Sequence, residues 1–73
     1  MYYVNVLISK KVERFYTGYT TNIDKRVNDH NSGKVTSTKS RIPFELIHIE
    51  GTLIKKDASH RKKYLKTAYA KGI

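Results

Sequence analysis

The stretch from Phe15 to Gly33, FYTGYTTNIDKRVNDHNSG, reads as a strand that runs almost directly into a helix. Its first six residues, FYTGYT, are aromatic and β-branched, the composition of a pleated, half-buried strand. Gly18 within it predicts a bulge, or a point where another backbone or a ligand comes close. The helix is expected to begin near Thr21. Thr21-Asn22-Ile23-Asp24 fits a capping box with Asp in place of Glu, and Asn22 is an alternative cap. Ile23, Arg26, Val27 and His30 then recur at helical spacing along one side, and Asn31-Ser32-Gly33 ends the helix.

Upstream, Tyr2 to Ile8 (YYVNVLI) reads as an earlier strand, and the short polar Ser9 to Arg14 (SKKVER) predicts an antiparallel hairpin with Phe15 to Thr20. Downstream, Lys34 to Ile42 (KVTSTKSRI) is a basic loop rich in Ser and Thr, closed by Pro43. Phe44 to Glu50 (FELIHIE) alternates apolar and polar residues, the pattern of a third strand with one buried face. Gly51 to Ile54 is expected to turn the chain. Lys55 to about Ala70 reads as a second helix, with Ala58, Leu65 and Ala68 toward the core. The order β-β-α-β-α predicts an α+β fold, a three-stranded antiparallel sheet flanked by helices. No repeat or linker interrupts it, so residues 1–73 read as a single domain.

A chain of 73 residues buries little of its unfolded surface, about 60%. With no cysteine, neither a disulfide nor a Cys-based zinc site can staple it. No signal peptide and no apolar run long enough to span a bilayer is visible, so a soluble protein of a cytoplasmic compartment is expected. Charge is the strongest bulk signal: fifteen Lys and Arg against six Asp and Glu give +9, with a pI near 9.9. Such a field attracts polyphosphate, and each neutralised phosphate releases condensed counterions. No segment pairs a basic face with a broad Trp/Phe/Leu face, so a membrane surface is a poorer partner than nucleic acid.

Four side chains carry the chemistry. Tyr16 and Tyr19 flank Gly18 on a strand expected to end beside the first helix. Arg26 and His30 lie one helical turn apart, one above the other. A guanidinium grips a phosphate with two parallel hydrogen bonds, and an imidazole or phenol can move a proton beside it. Taken singly, each has an ordinary structural explanation: a strand tyrosine in the core, a solvated arginine, an incidental histidine. Their joint spacing is what points to phosphodiester chemistry.

These residues resemble the GIY-YIG nuclease superfamily, and within it the small single-domain bacterial branch related to the nuclease domain of UvrC. The resemblance runs from YYVNVL through FYTGYT and IDKRVNDHNSGK to RIPFELIHIEG and KKDASHRKKYLKTAY, nearly the whole chain. It implies the family's three-stranded sheet with flanking helices, divalent-metal-dependent phosphodiester hydrolysis with Mg²⁺ or Mn²⁺ if the chain is active, and a DNA or structured nucleic-acid partner. Carried over by position, Tyr16 and Gly18 match the Tyr and Gly of the second motif, Arg26 the arginine that contacts the scissile phosphate, and His30 the residue that assists it. Two positions depart. The first motif here is Tyr3-Val4-Asn5, so Asn5 stands where the family has its catalytic tyrosine, and an amide has no useful basicity at neutral pH. In Ala58-Ser59-His60-Arg61-Lys62, Lys62 stands where the family has its metal-binding glutamate. An ammonium has no lone pair for a metal and repels it. Glu50 and Asp57 are the carboxylates best placed in sequence to substitute.

The segment Lys55 to Lys71 holds seven Lys or Arg and one acid. Arg61, Lys62, Lys63 and Lys66 span more than one helix face, which suits contacts to a nucleic-acid backbone, with Tyr19 beside them. Lys34, Lys39 and Arg41 in the loop are expected to form a second wall of the same groove. His48 and His60 have no ligand-like spacing, and no metal is assigned to them. Three functions are compatible with the sequence: a nucleic-acid-binding domain whose cleavage is lost or strongly weakened, a working endonuclease with a rearranged site, and a basic accessory module for RNA or protein.

Overall fold

A computed structural model of the chain describes residues 1–70; Lys71, the last basic residue of the C-terminal segment, lies outside the described residues. The elements follow as β1 (Tyr2–Ser9), β2 (Phe15–Thr20), α1 (Ile23–Asn31), a short 3₁₀ turn (Lys39–Arg41), β3 (Phe44–Thr52) and α2 (Lys55–Ala70). The α+β architecture expected from the sequence is the one observed, a three-stranded antiparallel sheet in the order β2-β1-β3 with two helices.

The central strand is the key to the fold. β1 is covered on both sides, and Val4, Asn5, Val6 and Leu7 are all buried. Val4 and Val6 face α2, where they join Ala58 and Leu65 in the core cluster, with Tyr2, Phe15, Tyr19 and Tyr69 packed around it. Phe15 meets Tyr69 with ring centroids 4.9 Å apart. Alternation sends Asn5 to the opposite side of the sheet, toward α1. Ala68, expected in the core, is only half-buried; Tyr69 beside it fills that role by reaching Phe15.

Two boundaries differ from expectation by two residues, and β1 runs one residue further, to Ser9. The first helix begins at Ile23, not near Thr21, because the Asn22 side chain accepts from the Lys25 backbone N–H at 3.1 Å; Asn22, the alternative cap, supplies the first turn's missing acceptor. The third strand continues through Thr52, since Tyr3 pairs with Gly51 and Tyr2 with Thr52, where a turn was expected from Gly51 onward. The ladder to β1 outweighs the local preference of Gly51.

The end of α1 is tied to β3 through Asn31. Its amide accepts from the Phe44 N–H at 2.6 Å and donates to the Phe44 carbonyl at 3.1 Å, as a neighbouring strand would. Gly33, at φ +81°, makes the left-handed exit from that helix. Together these contacts fix how α1 sits on the sheet, and so where Arg26 and His30 point.

Candidate functional site

Asn5 and Gly18 are register partners on β1 and β2. A Cβ built on Gly18 would lie 2.6 Å from Arg26 Nη2 and 2.7 Å from its Cζ, so the guanidinium occupies the space that glycine leaves open. The bulge expected at Gly18 is absent, since β1 and β2 pair in unbroken register, and what comes close is not another backbone but a side chain of α1. Arg26 Nε donates to Asn5 Oδ1 at 2.6 Å, and Asn5 Nδ2 donates to the Tyr3 carbonyl at 3.1 Å. Among the described residues Arg26 has no carboxylate partner. Burial holds its guanidinium below the ordinary arginine value, although arginine stays charged in proteins. A half-desolvated cation without a counter-ion favours an incoming anion.

Arg26 lines a hollow of about 200 Å³ together with Tyr19, Thr20, Lys25, Asp29, His30 and Val35. His30 is 6% exposed, with Nδ1 2.9 Å from Thr38 Oγ1 and its ring edge-on to Phe44 at 5.3 Å. The Thr38 hydroxyl donates to the Val35 carbonyl at 3.4 Å. The direction of the His30–Thr38 hydrogen bond follows the imidazole tautomer. Burial, and secondly the charge of Arg26, hold the His30 pKa below its ordinary value, while Asp29 opposes them. His30 is thus a neutral imidazole at pH 7.

That shift has a sign that can be checked. The unfolded chain takes up a proton at His30 near pH 6.5, whereas the folded chain resists it to lower pH. Stability is full above that value and falls as pH drops through it toward the lower folded value, by at most about 1.4 kcal/mol per pH unit for one proton. The Tm of the parent minus that of His30→Asn is expected to shrink between pH 7.5 and 5.5. A difference that stays constant over that range contradicts the assignment.

Tyr16 sits farther along the same side of the sheet. Its hydroxyl oxygen accepts from Arg41 Nη1, and its ring meets Phe44 edge-on at 5.4 Å. Arg41 is therefore at the site, turned toward the tyrosine. Lys34 lies 3.9 Å from Asp29, which also pairs with Lys25 at 2.7 Å. These two lysines hold the Asp29 carboxyl below its usual range, the Lys25 hydrogen bond being the larger cause. Lys39 is exposed beside Gly33.

On the α2 side, Lys62 Nζ lies 5.6 Å over the Tyr19 ring. A second hollow of about 670 Å³ is lined by Tyr19, Lys55, Lys56, Asp57, Ser59, His60 and Lys63. Tyr19 borders both hollows, so the edge of β2 joins the Arg26 site to the basic face of α2. Lys66 borders a third, beside Phe15 and Tyr16. Arg61 is engaged elsewhere: its Nε and Nη2 each donate to Glu50 at 2.8 Å, and His48 Nε2 also lies 2.8 Å from Glu50. Those bonds, Arg61 first, bring the Glu50 pKa down to about 2.

At Lys62 and at Glu50 the residues present do not fit a divalent cation. Lys62 presents an ammonium, both Glu50 oxygens are taken by Arg61 and His48, and among the described residues no three of His, Cys, Asp and Glu converge. Glu50, the leading substitute by sequence position, is an ion-pair residue. Sequence reasoning did not single out Thr38 or Asn31. Thr38 is one of several hydroxyls in an aperiodic loop, and Asn31 reads as part of a helix stop.

Among the described residues no helix is long and apolar enough to cross a membrane. The family described as the GIY-YIG catalytic domain matches residues 1–73. A UPF0213 protein of Natronomonas pharaonis is 42% identical over 67 residues, 90% of this chain and 78% of its own length. One from Staphylococcus haemolyticus is 39% identical over 62 residues, 84% of this chain and 76% of its own. One from Syntrophus aciditrophicus is 57% identical over 37 residues, a match spanning 48% of this chain and 42% of that protein. No solved structure matches the chain. By the extent of the family match and by these relatives, the chain belongs to the GIY-YIG catalytic-domain family, alongside the UPF0213 proteins.

Proposed function

We propose that this chain holds DNA or structured nucleic acid by its sugar–phosphate backbone, with little sequence preference, and that its phosphodiester cleavage is lost or strongly weakened. One observation carries the reading: Arg26 is half-buried, in no ion pair among the described residues, and pinned through Nε over Gly18 beside a hollow of about 200 Å³, ample for a phosphate group. Arg26 is the phosphate anchor. Lys62, Lys63 and Lys66 on α2, with Lys34, Lys39 and Arg41 in the loop, add charge around it. Tyr16 and His30 are the remains of the proton-handling set, and Arg61 supports α2 through Glu50 and contributes the least. Within this reading Asn5 and Lys62 remove the phenol and the metal donor, so binding outlasts turnover.

Fluorescence anisotropy with a 20-base-pair DNA duplex, from 50 to 200 mM salt, tests it. Affinity is expected to fall steeply with salt. Arg26→Ala is expected to weaken binding at least about tenfold and to lower the salt slope by about one unit. Binding that is flat in salt and indifferent to Arg26→Ala instead favours the basic accessory module for protein.

A further inference from the structure

Asn5 is fully buried in the middle of the central strand. A buried polar side chain must have its hydrogen bonds made, and Asn5 makes one at each end: Nδ2 to the Tyr3 carbonyl at 3.1 Å and Oδ1 from Arg26 Nε at 2.6 Å. The first bond fixes which way the amide faces, because only the NH₂ end can meet a carbonyl. The second then has to be an acceptor aimed at α1. Few side chains of this size satisfy both demands. Aspartate would set an anionic oxygen against the Tyr3 carbonyl and cancel the charge of Arg26. Leucine would leave Nε–H without an acceptor.

The effect on Arg26 is specific. A guanidinium has five N–H donors, one at Nε and four on the Nη pair. Asn5 takes the Nε donor. The plane rests on Gly18, where Nη2 and Cζ come nearest to the missing Cβ. The donors left over are the parallel Nη set, the edge that matches two oxygens of one phosphate, and Arg26 lines the hollow beside them. An arginine so held has already given up the rotamer freedom that a mobile one loses on binding.

We infer that Asn5 is a positioning residue: at the place where the family carries its catalytic tyrosine, it acts through Arg26, turning the Nη edge of the guanidinium toward a bound phosphate. This rests on reading the Arg26 hollow as a phosphate site. The substitution at position 5 is then a gain for holding the ligand as well as a loss for cutting it.

The two ideas separate experimentally. In ¹⁵N-edited NMR of the ligand-free protein at neutral pH, the Arg26 Nε–H resonance is expected to be resolved and protected from solvent exchange. In Asn5→Leu it is expected to exchange at least about tenfold faster, as a lost hydrogen bond of this kind requires. Binding of the 20-base-pair duplex is expected to weaken about tenfold in Asn5→Leu, and adding Arg26→Ala to it should cost little more, since both act through one group. Asn5→Asp, nearly the same shape, keeps the test available if Asn5→Leu does not fold: there the resonance stays protected while DNA affinity falls. An unprotected Arg26 Nε–H in the parent, or a folded Asn5→Leu or Asn5→Asp variant that binds DNA like the parent, overturns the inference. If Arg26→Ala alone leaves DNA binding intact, the phosphate site itself is overturned, whatever the Nε–H resonance shows.

Discussion

Supercoiled plasmid in Mg²⁺ or Mn²⁺ is expected to stay closed with the parent chain and to be nicked by the Asn5→Tyr, Lys62→Glu double variant. Acid–base help from a phenol is worth about 10²–10⁴ in rate, and a metal adds charge stabilisation on top. The two changes supply different parts. Lys62 lies over Tyr19, and Tyr19 borders the Arg26 hollow, so a carboxylate at position 62 falls next to the phosphate site and removes a repelling charge. A tyrosine at position 5 does not fit the space of a fully buried asparagine. Accommodating it carries an overpacking cost of about 1–3 kcal/mol. Each single variant is therefore expected to cut far less than the pair. If the parent already cuts, and both EDTA and Arg26→Ala abolish it, Asn5 and Lys62 do not disable the site. Glu50 would then have to leave Arg61 and His48 to serve a metal, and Arg61→Ala would raise the parent's activity.

Glu50 also shows where reading a sequence stops. Its place on a strand was legible from FELIHIE, but its side of the sheet was not: Ile47 and Ile49 are exposed while His48 and Glu50 are half-buried, the reverse of an apolar-in alternation, beside a register shift against Val6 and Leu7. Its engagement with Arg61 was not legible either, because Arg61 comes from a helix in a later segment; His48, two residues back on the same strand face, is the local part of the contact. The fold was readable because alternation and helical spacing are local, and the strands and helices are set largely by them. The errors at Thr21 and Gly51 lie where a long-range ladder or a cap decides between neighbours of similar preference. In the site, the spacing of Arg26 and His30 put them on one helix face as expected, and Gly18 announced a close approach without naming what approaches. That Asn5 would be satisfied by Arg26, or His30 by Thr38, depends on how α1 is docked. The docking is fixed by the two hydrogen bonds between Asn31 and Phe44, a contact with no signature in the sequence.

Gly18→Val is the sharpest probe of that docking, and its effects on stability and binding are expected to differ in origin. Valine suits a strand, so β2 itself gains up to about 1 kcal/mol in local preference. Its Cβ, however, would meet Arg26 Nη2 at 2.6 Å and Cζ at 2.7 Å. The guanidinium is at the end of a flexible chain and can swing away, but doing so leaves Asn5 Oδ1 buried without a donor, at about 1–3 kcal/mol. Net stability is therefore expected to fall modestly, by roughly 0–2 kcal/mol once the strand preference is set against that penalty. DNA binding is expected to fall about 10- to 100-fold, the worth of a charge-assisted hydrogen bond pair no longer in place. The salt slope should change less than in Arg26→Ala, because the displaced guanidinium keeps its charge near the phosphates while losing its aim. Thermal denaturation and anisotropy on the same preparation separate the two. A Gly18→Val chain that binds as well as the parent would mean that Arg26 meets its ligand from an extended position, away from Gly18, and that the clasp to Asn5 is a resting arrangement with no part in recognition.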